Sequence, residues 1–330
     1  MFIDTKGHFV QRIAGLLLAA SFAVSVTAQA QPLPAKPIEL IVHTGPGGGS
    51  DIFTRTVADI ISREKLLPVP TVIQNKAGGG GLIAQNYVAG RRGDPYTVFA
   101  IASSLLVAVP IRNGTDNGLD KFQPLGLLGF DINCIAVRAE SPYRTLKELL
   151  DATRAAPKSI NISMGSVGSS SHYLPFRLEQ LAGVRFNLVS MKSGAEAVTT
   201  MLGGHVHASG EQLAEMTQYI EAGKVRVLAV AAQKRVAALP NVPTLKESGI
   251  DLHVGAGRGF ASPAGVSREA VALLESVFEK VYKSAAWRDY MRRNYYEDVY
   301  MNGAELTRHM TEIKPDVERF IRDLGLANKP

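Results

Sequence analysis

Residues 38–55, IELIVHTGPGGGSDIFTR, pass through three kinds of local order in succession. Positions 38–42 are an apolar, β-branched run that reads as a strand. Positions 43–51 are dense in Gly and Pro and read as a loop. Ile52, Phe53, Val57, Ile60 and Ile61 then fall on one helical face. Strand, glycine loop and helix in that order form the repeating unit of an α/β protein. The loop does not fit a dinucleotide fingerprint, because counting from Gly45 the third required glycine is Ser50. It does not fit a nucleotide-hydrolase phosphate loop either, because the terminal Gly-Lys-Ser/Thr is missing. Bare amides at Gly47, Gly48 and Gly49, ahead of a helix that Ser50 or Asp51 can cap, suit an anion. A plain tight strand-to-helix turn fits them equally well.

The unit recurs along the chain. Positions 71–74, 97–102, 132–137, 160–163, 186–189 and 225–231 read as strands. Leu174, Leu178 and Leu181 share a helical face, as do Val271, Leu274, Phe278 and Val281. The alternation predicts an α/β fold with largely parallel sheets. Gly- or Ser-rich loops follow four of the strands. They are the first loop, AGGGG (77–81, with Gly78, Gly79 and Gly80), GSVGSSSH (165–172, with Ser169, Ser170 and Ser171) and KSG (192–194, with Lys192). Neutral hydroxyl and amide donors in such numbers suit a bound carboxylate. Crossings near 131–137 and 255–259 divide the chain into a discontinuous first lobe, 31–134 plus 255–330, and a second lobe, 135–254. A ligand is expected between them at the carboxyl ends of the strands.

Positions 1–30 have the order of a secretory signal peptide. Lys6 and Arg12 are followed by an apolar stretch too short to span a membrane and by Ala28-Gln29-Ala30, with cleavage expected near Ala30. The remaining residues suffice for two domains with sizeable cores. The formal net charge of +6 is spread out without interleaved aromatics, so no nucleic-acid footprint is visible. The single cysteine, Cys134, lies in an apolar run and reads as a small core residue that cannot form an internal disulfide. His205 and His207 lack a third ligand, so neither a metal nor a cofactor is expected. Catalysis finds little support. Ser and His adjacent at a helix start do not face each other as a triad does, and no Gly-x-Ser-x-Gly elbow is present.

The stretches KPIELIVHTGPGGGSDIFTR, VIQNKAGGGGLIA, GSVGSSSHYLPFRLEQLAGV, AVTTMLGGHV, EAGKVRVLAVAAQKRVAALPNVPTLKESGI and FASPAGVS resemble the solute-binding proteins of tripartite tricarboxylate transporters, the Bug family. The resemblance covers nearly the whole chain after the leader. It implies a two-lobed periplasmic-binding-protein-like fold with the ligand cleft between lobes, lined by the loops at 47–51, 78–80, Ser103-Ser104 and 169–172. It implies a periplasmic, monomeric, non-enzymatic protein that captures an organic carboxylate beside a large and a small membrane subunit. The alternatives are an exported hydrolase using a serine of the 165–171 loop and a sensor lobe serving a membrane receptor.

The sequence departs from the family pattern at four places. His43-Thr44-Gly45 precede Pro46, Gly210-Glu211-Gln212 replace a Phe-Asp-Asn trio, Met191-Lys192-Ser193 replace Tyr-Lys-Gly, and Gly257-Arg258-Gly259 replace Trp-Tyr-Gly. Gly210 is expected to widen the cleft. Arg258, freed by its flanking glycines, is expected to reach into it toward a second carboxylate. A dicarboxylate, aromatic ones included, is the narrower expectation for the ligand.

Overall fold

The computed structural model describes residues 35–115, 118–165 and 167–327. The leader expected over 1–30 and Ser166 lie outside them. The first unit forms as its composition suggests: β1 (Ile38–Val42) runs into the glycine loop, and α1 (Gly49–Arg63) follows. The helix begins at Gly49 with Gly48 as its N-cap, ahead of the expected start at Ile52. Phe53, Val57, Ile60 and Ile61 are buried, but Ile52 is 48 % exposed. At 3.6 residues per turn it lies about 100° away from Phe53 and off the packed stripe.

Two sheets are built from such units. The first contains β1, β2 (Thr71–Asn75), β3 (Thr97–Ala102), β4 (Phe122–Ile132), β10 (Gly255–Pro263) and β11 (Met301–Asn302), in the order β11-β4-β10-β3-β1-β2. The second contains β5 (Cys134–Arg138), β6 (Asn161–Met164), β7 (Asn187–Ser190), β8 (Ala208–Ser209) and β9 (Val225–Val230), in the order β7-β6-β8-β5-β9. Both are mixed rather than largely parallel. β1 is parallel to β2 and β3, and β6 to β7 and β8, whereas β10 is antiparallel to β3 and β4, and β5 to β8 and β9. The antiparallel strands include the ones that carry the chain between sheets, which no short βαβ connection could supply.

The glycine-rich stretch 255–259, expected as a crossing between lobes, is the start of β10, a strand inside the first sheet. Its glycines serve close approach. A Cβ at Gly259 would collide with the Gly126 carbonyl, and one at Gly257 would stand 2.7 Å from Ser103 Oγ. Asn133 alone separates β4 from β5. Its amide donates to the Val254 carbonyl at 3.1 Å, and its carbonyl accepts from Ala231 at 2.8 Å. The two passages between sheets therefore run side by side and are hydrogen-bonded to each other.

On one face of the first sheet, α1, α8 (Arg268–Lys283) and α9 (Ala285–Arg293) bury a ring stack. Phe260 lies 4.2 Å from Phe278 and 5.2 Å from Phe53, and Trp287 Nε1 donates to the Leu128 carbonyl at 3.0 Å. The second sheet packs Leu149 of α4 (Leu146–Ala155) and Leu174 and Leu178 of α5 (Ser170–Ala182) into a separate core. Leu181, on the same expected face, is exposed in the last turn of α5.

Candidate functional site

Aspartate chemistry shapes the first loop. Asp51 Oδ2 accepts from the Gly47 amide at 2.9 Å and from Arg55 Nε at 2.8 Å, and Oδ1 accepts from Asn75 Nδ2 at 2.8 Å. Burial works to raise its pKa, but Arg55, the Gly47 amide and Asn75 outweigh it and hold the carboxyl below its ordinary value. The side chain thus folds the loop back on β2 and leaves the cap position to Gly48. Ser50 Oγ does not cap the helix either. It accepts from Arg258 Nη1 at 2.9 Å and lies 3.4 Å from His43 Nε2. Burial, and then the charge of Arg258, lowers the His43 pKa to about 4, so its ring is neutral.

Arg258 sits on β10 with its guanidinium turned inward. Nη2 donates to Asp131 Oδ2 at 2.9 Å. Asp131 Oδ1 and Arg258 Nε have no hydrogen-bond partner among the described residues. Burial pushes the Asp131 carboxyl up against the pull of Arg258. Two more acids approach from the second-sheet segment. A Cβ at Gly49 would stand 2.8 Å from Arg258 Nη2 and 3.6 Å from Glu215 Oε1. A Cβ at Gly194 would stand 2.9 Å from Glu211 Oε2 and 3.0 Å from Glu215 Oε1. Burial, and next the neighbouring Glu215, pushes Glu211 up to about 7. This core of one cation and three carboxyls closes around bare glycines.

The hydroxyl loops meet elsewhere. Ser103 and Ser104, at the end of β3, line a cavity of about 190 Å³ opposite Gly168, Ser169 and Ser170 at the end of β6. His253, Val254 and Gly255 of the passage between sheets border it, with His309 and Phe320 of α10 (Gly303–Asp323). Ser170 Oγ accepts from Gln212 Nε2 at 2.8 Å. Ser171 does not line the cavity itself, and its Oγ lies 2.9 Å from Oγ of Ser169, which does. Ser171 is almost fully buried, and its Oγ accepts from the Gly165 amide at 3.1 Å. His172 Nδ1 accepts from the Gly168 amide at 3.2 Å, its ring packs edge-on to Phe320, and burial lowers its pKa to about 4. A larger open groove of about 820 Å³ lies along α4 and residues 241–250, but none of the strand-end loops reaches it.

The remaining expected residues are divided. Gly78, Gly79 and Gly80 take left-handed or extended-positive φ values in a loop that carries Arg112. The Arg112 side chain, from α3 (Leu105–Asn113), donates through Nη2 to the carbonyls of Gly79 at 2.9 Å and Gly80 at 3.1 Å. Lys192 is exposed, and its amide donates to Glu196 Oε2 at 2.8 Å. Asp131, Glu211, Glu215 and Arg112 escaped the sequence reading. For Arg112 a signal existed, since it follows Ser104 at twice the four-residue helical spacing.

A family model described as the tripartite tricarboxylate transporter family receptor, TctC, matches residues 53–326. The chain belongs to this receptor family. It is 31 % identical over 330 residues, 98 % of both chains, to a UPF0065 protein encoded in the gbd 5′ region of Cupriavidus necator. A TctC solute-binding protein from Polaromonas is 31 % identical with a TM-score of 0.73, covering 88 % of this chain and 99 % of that one. An R. palustris protein solved with adipate has a TM-score of 0.80 at 24 % identity, covering 89 % and 99 %. The Polaromonas structure is that of a solute-binding protein, and the two-lobed α/β fold described above is shared with these neighbours.

Two family departures look different inside the fold of this TctC receptor. Gly210 does not widen the cleft. A Cβ there would stand 3.2 Å from the Ser171 carbonyl and 3.3 Å from Pro175 Cδ, so the position is glycine because α5 packs against it. Arg258 is not aimed by flexible neighbours. It is held in a strand, with both Nη atoms engaged by Ser50 and Asp131.

Proposed function

We propose that this receptor works in the periplasm, after loss of its leader near Ala30, and captures a dicarboxylate, aliphatic or aromatic, between two lobes. Lobe one is 31–134 plus 255–330, and lobe two is 135–254. The observation that carries this reading is the meeting of Ser103 and Ser104 with Gly168, Ser169 and Ser170 across one cavity. Neutral donors from both lobes can hold one carboxylate there and make closure depend on it. Gly47, Gly48 and Gly49 at the start of α1 add bare amides on the first-lobe side. The Arg258–Asp131 pair is internal bracing in this reading. As a monomer, the receptor passes its ligand to a large and a small membrane subunit.

A panel of C4 to C8 aliphatic dicarboxylates and the three benzenedicarboxylates, each with a monocarboxylate counterpart, tests this by thermal unfolding and calorimetry. A binder at a hundred times its dissociation constant adds about 2.7 kcal/mol. The reading fails if no carboxylate stabilises the protein. It also fails if the purified protein turns over an ester and Ser170→Ala abolishes that turnover.

A further inference from the structure

Arg258 was the cation expected to read the ligand, yet Asp131 already neutralises it. Another guanidinium lies nearer the hydroxyl cavity. Ser104 at the N-cap of α3, and Ala108 and Arg112 within the helix, are spaced by four residues and share one helical face. Ser104 and Ala108 line the cavity. Arg112 continues that stripe to its rim, where a Cβ at Gly168 would stand 3.9 Å from its Nη1. The cavity lining thus runs on, through Gly168, to this guanidinium.

The side chain is held in place, but no counter-charge among the described residues balances it. Nη2 bridges the Gly79 and Gly80 carbonyls, and a Cβ at Gly80 would collide with the guanidinium. That loop is therefore bare where the arginine lies across it. Nε and Nη1 carry no hydrogen bond to the described residues, and none of their carboxylates lies within ion-pair distance. Burial lowers the Arg112 pKa, as expected for a partly desolvated cation with no counter-charge among the described residues. The free Nη1 N–H groups can still donate charge-assisted hydrogen bonds to a carboxylate oxygen.

We infer that Arg112 pairs with the second carboxylate of the bound dicarboxylate, while Ser103, Ser104, Ser169 and Ser170 hold the first. This rests on the carboxylate reading above and assigns the residue that tells dicarboxylates from monocarboxylates. Closure then brings Gly168, on the second lobe, over an ion pair seated on the first.

Calorimetric titration of the parent, Arg112→Gln and Arg112→Lys with adipate and hexanoate, and with the tightest-binding pair of the panel, tests it. Arg112→Gln is expected to weaken the dicarboxylate roughly ten- to a hundred-fold and to leave the monocarboxylate within about two-fold. Arg112→Lys should fall between, because an ammonium keeps the charge but cannot both lie across the Gly79 and Gly80 carbonyls and present a second nitrogen to the ligand. Melting without ligand shows whether each variant keeps its fold. If the parent binds dicarboxylates and Arg112→Gln binds them as tightly, the inference is overturned and the carboxylate reading stands. If both ligands weaken equally, Arg112 only shapes the 78–81 loop and the inference is again overturned. If the parent binds no carboxylate, the functional reading falls and the inference with it.

Discussion

Arg258 Nη2 lies 2.9 Å from Asp131 Oδ2, with the two side chains only 8 % and 2 % exposed. The residues are far apart in sequence but adjacent across the β10–β4 ladder. A buried pair of this kind contributes little net stability while intact, but losing one partner strands the other charge. Asp131→Ala is therefore expected to cost about 3–5 kcal/mol in urea unfolding. Replacing both residues with apolar side chains, as in Asp131→Leu with Arg258→Met, should recover most of that loss. A double variant no more stable than Asp131→Ala would show that the pair is not the source.

Asp51 is expected to matter for stability more than for binding. Asp51→Ala removes an acceptor from the Gly47 amide, Arg55 and Asn75, and should cost about 1.5–3 kcal/mol, the range for hydrogen bonds to a charged group. Its folded pKa is depressed, so its contribution is present above the unfolded pKa of about 3.9 and is lost as pH falls through the folded value. The parent should lose stability faster than Asp51→Asn on acidification below about pH 4. Full stability together with lost binding in Asp51→Ala would instead make the residue a ligand contact.

Glu211 has the opposite sign. Burial, then Glu215, raises its pKa from 4.5 to about 7. Between those values the folded state holds a proton that the unfolded state releases, so stability falls as pH rises across that window and levels off above it. Glu211→Gln should flatten this slope and be more stable than the parent at pH 8. Parallel stability curves for the two proteins from pH 5 to 8 would show that Glu211 does not titrate there.

Two serines of the loop that follows β6 should separate. Ser170→Ala is expected to weaken a bound dicarboxylate about ten-fold or more and to cost no more than the single hydrogen bond from Gln212 in stability, since Ser170 lines the cavity. Ser171→Ala should cost about 1 kcal/mol of stability and little affinity, because its Oγ serves the Gly165 amide. Equal affinity losses in the two variants would contradict this division.

The parts of the fold that could be read along the chain are those set by local periodicity. β1, β3 and β9 were legible as short apolar runs, and the buried face of α1 as a 3.6-residue repeat, because each signal lies within one element. The strand-end glycine and serine loops were legible for the same reason, and so was the family. β4 and β10 were not. Glycine in 255–259 reads as a turn, and only the Gly126 backbone packed against Gly259 explains why a strand needs it there.

The site followed the same division. Which residue types could bind an anion was visible from composition, but which of them face the cavity was not. Ser170 and Ser171 are neighbours in sequence, yet one lines the cavity and the other accepts from the Gly165 amide. The surroundings of Arg258 and Arg112 are likewise set by partners distant in sequence: Asp131 for the first and the Gly79 and Gly80 carbonyls for the second. Propensity and periodicity act over a few residues. Burial, charge compensation and the direction of a side chain depend on what the rest of the chain packs against it.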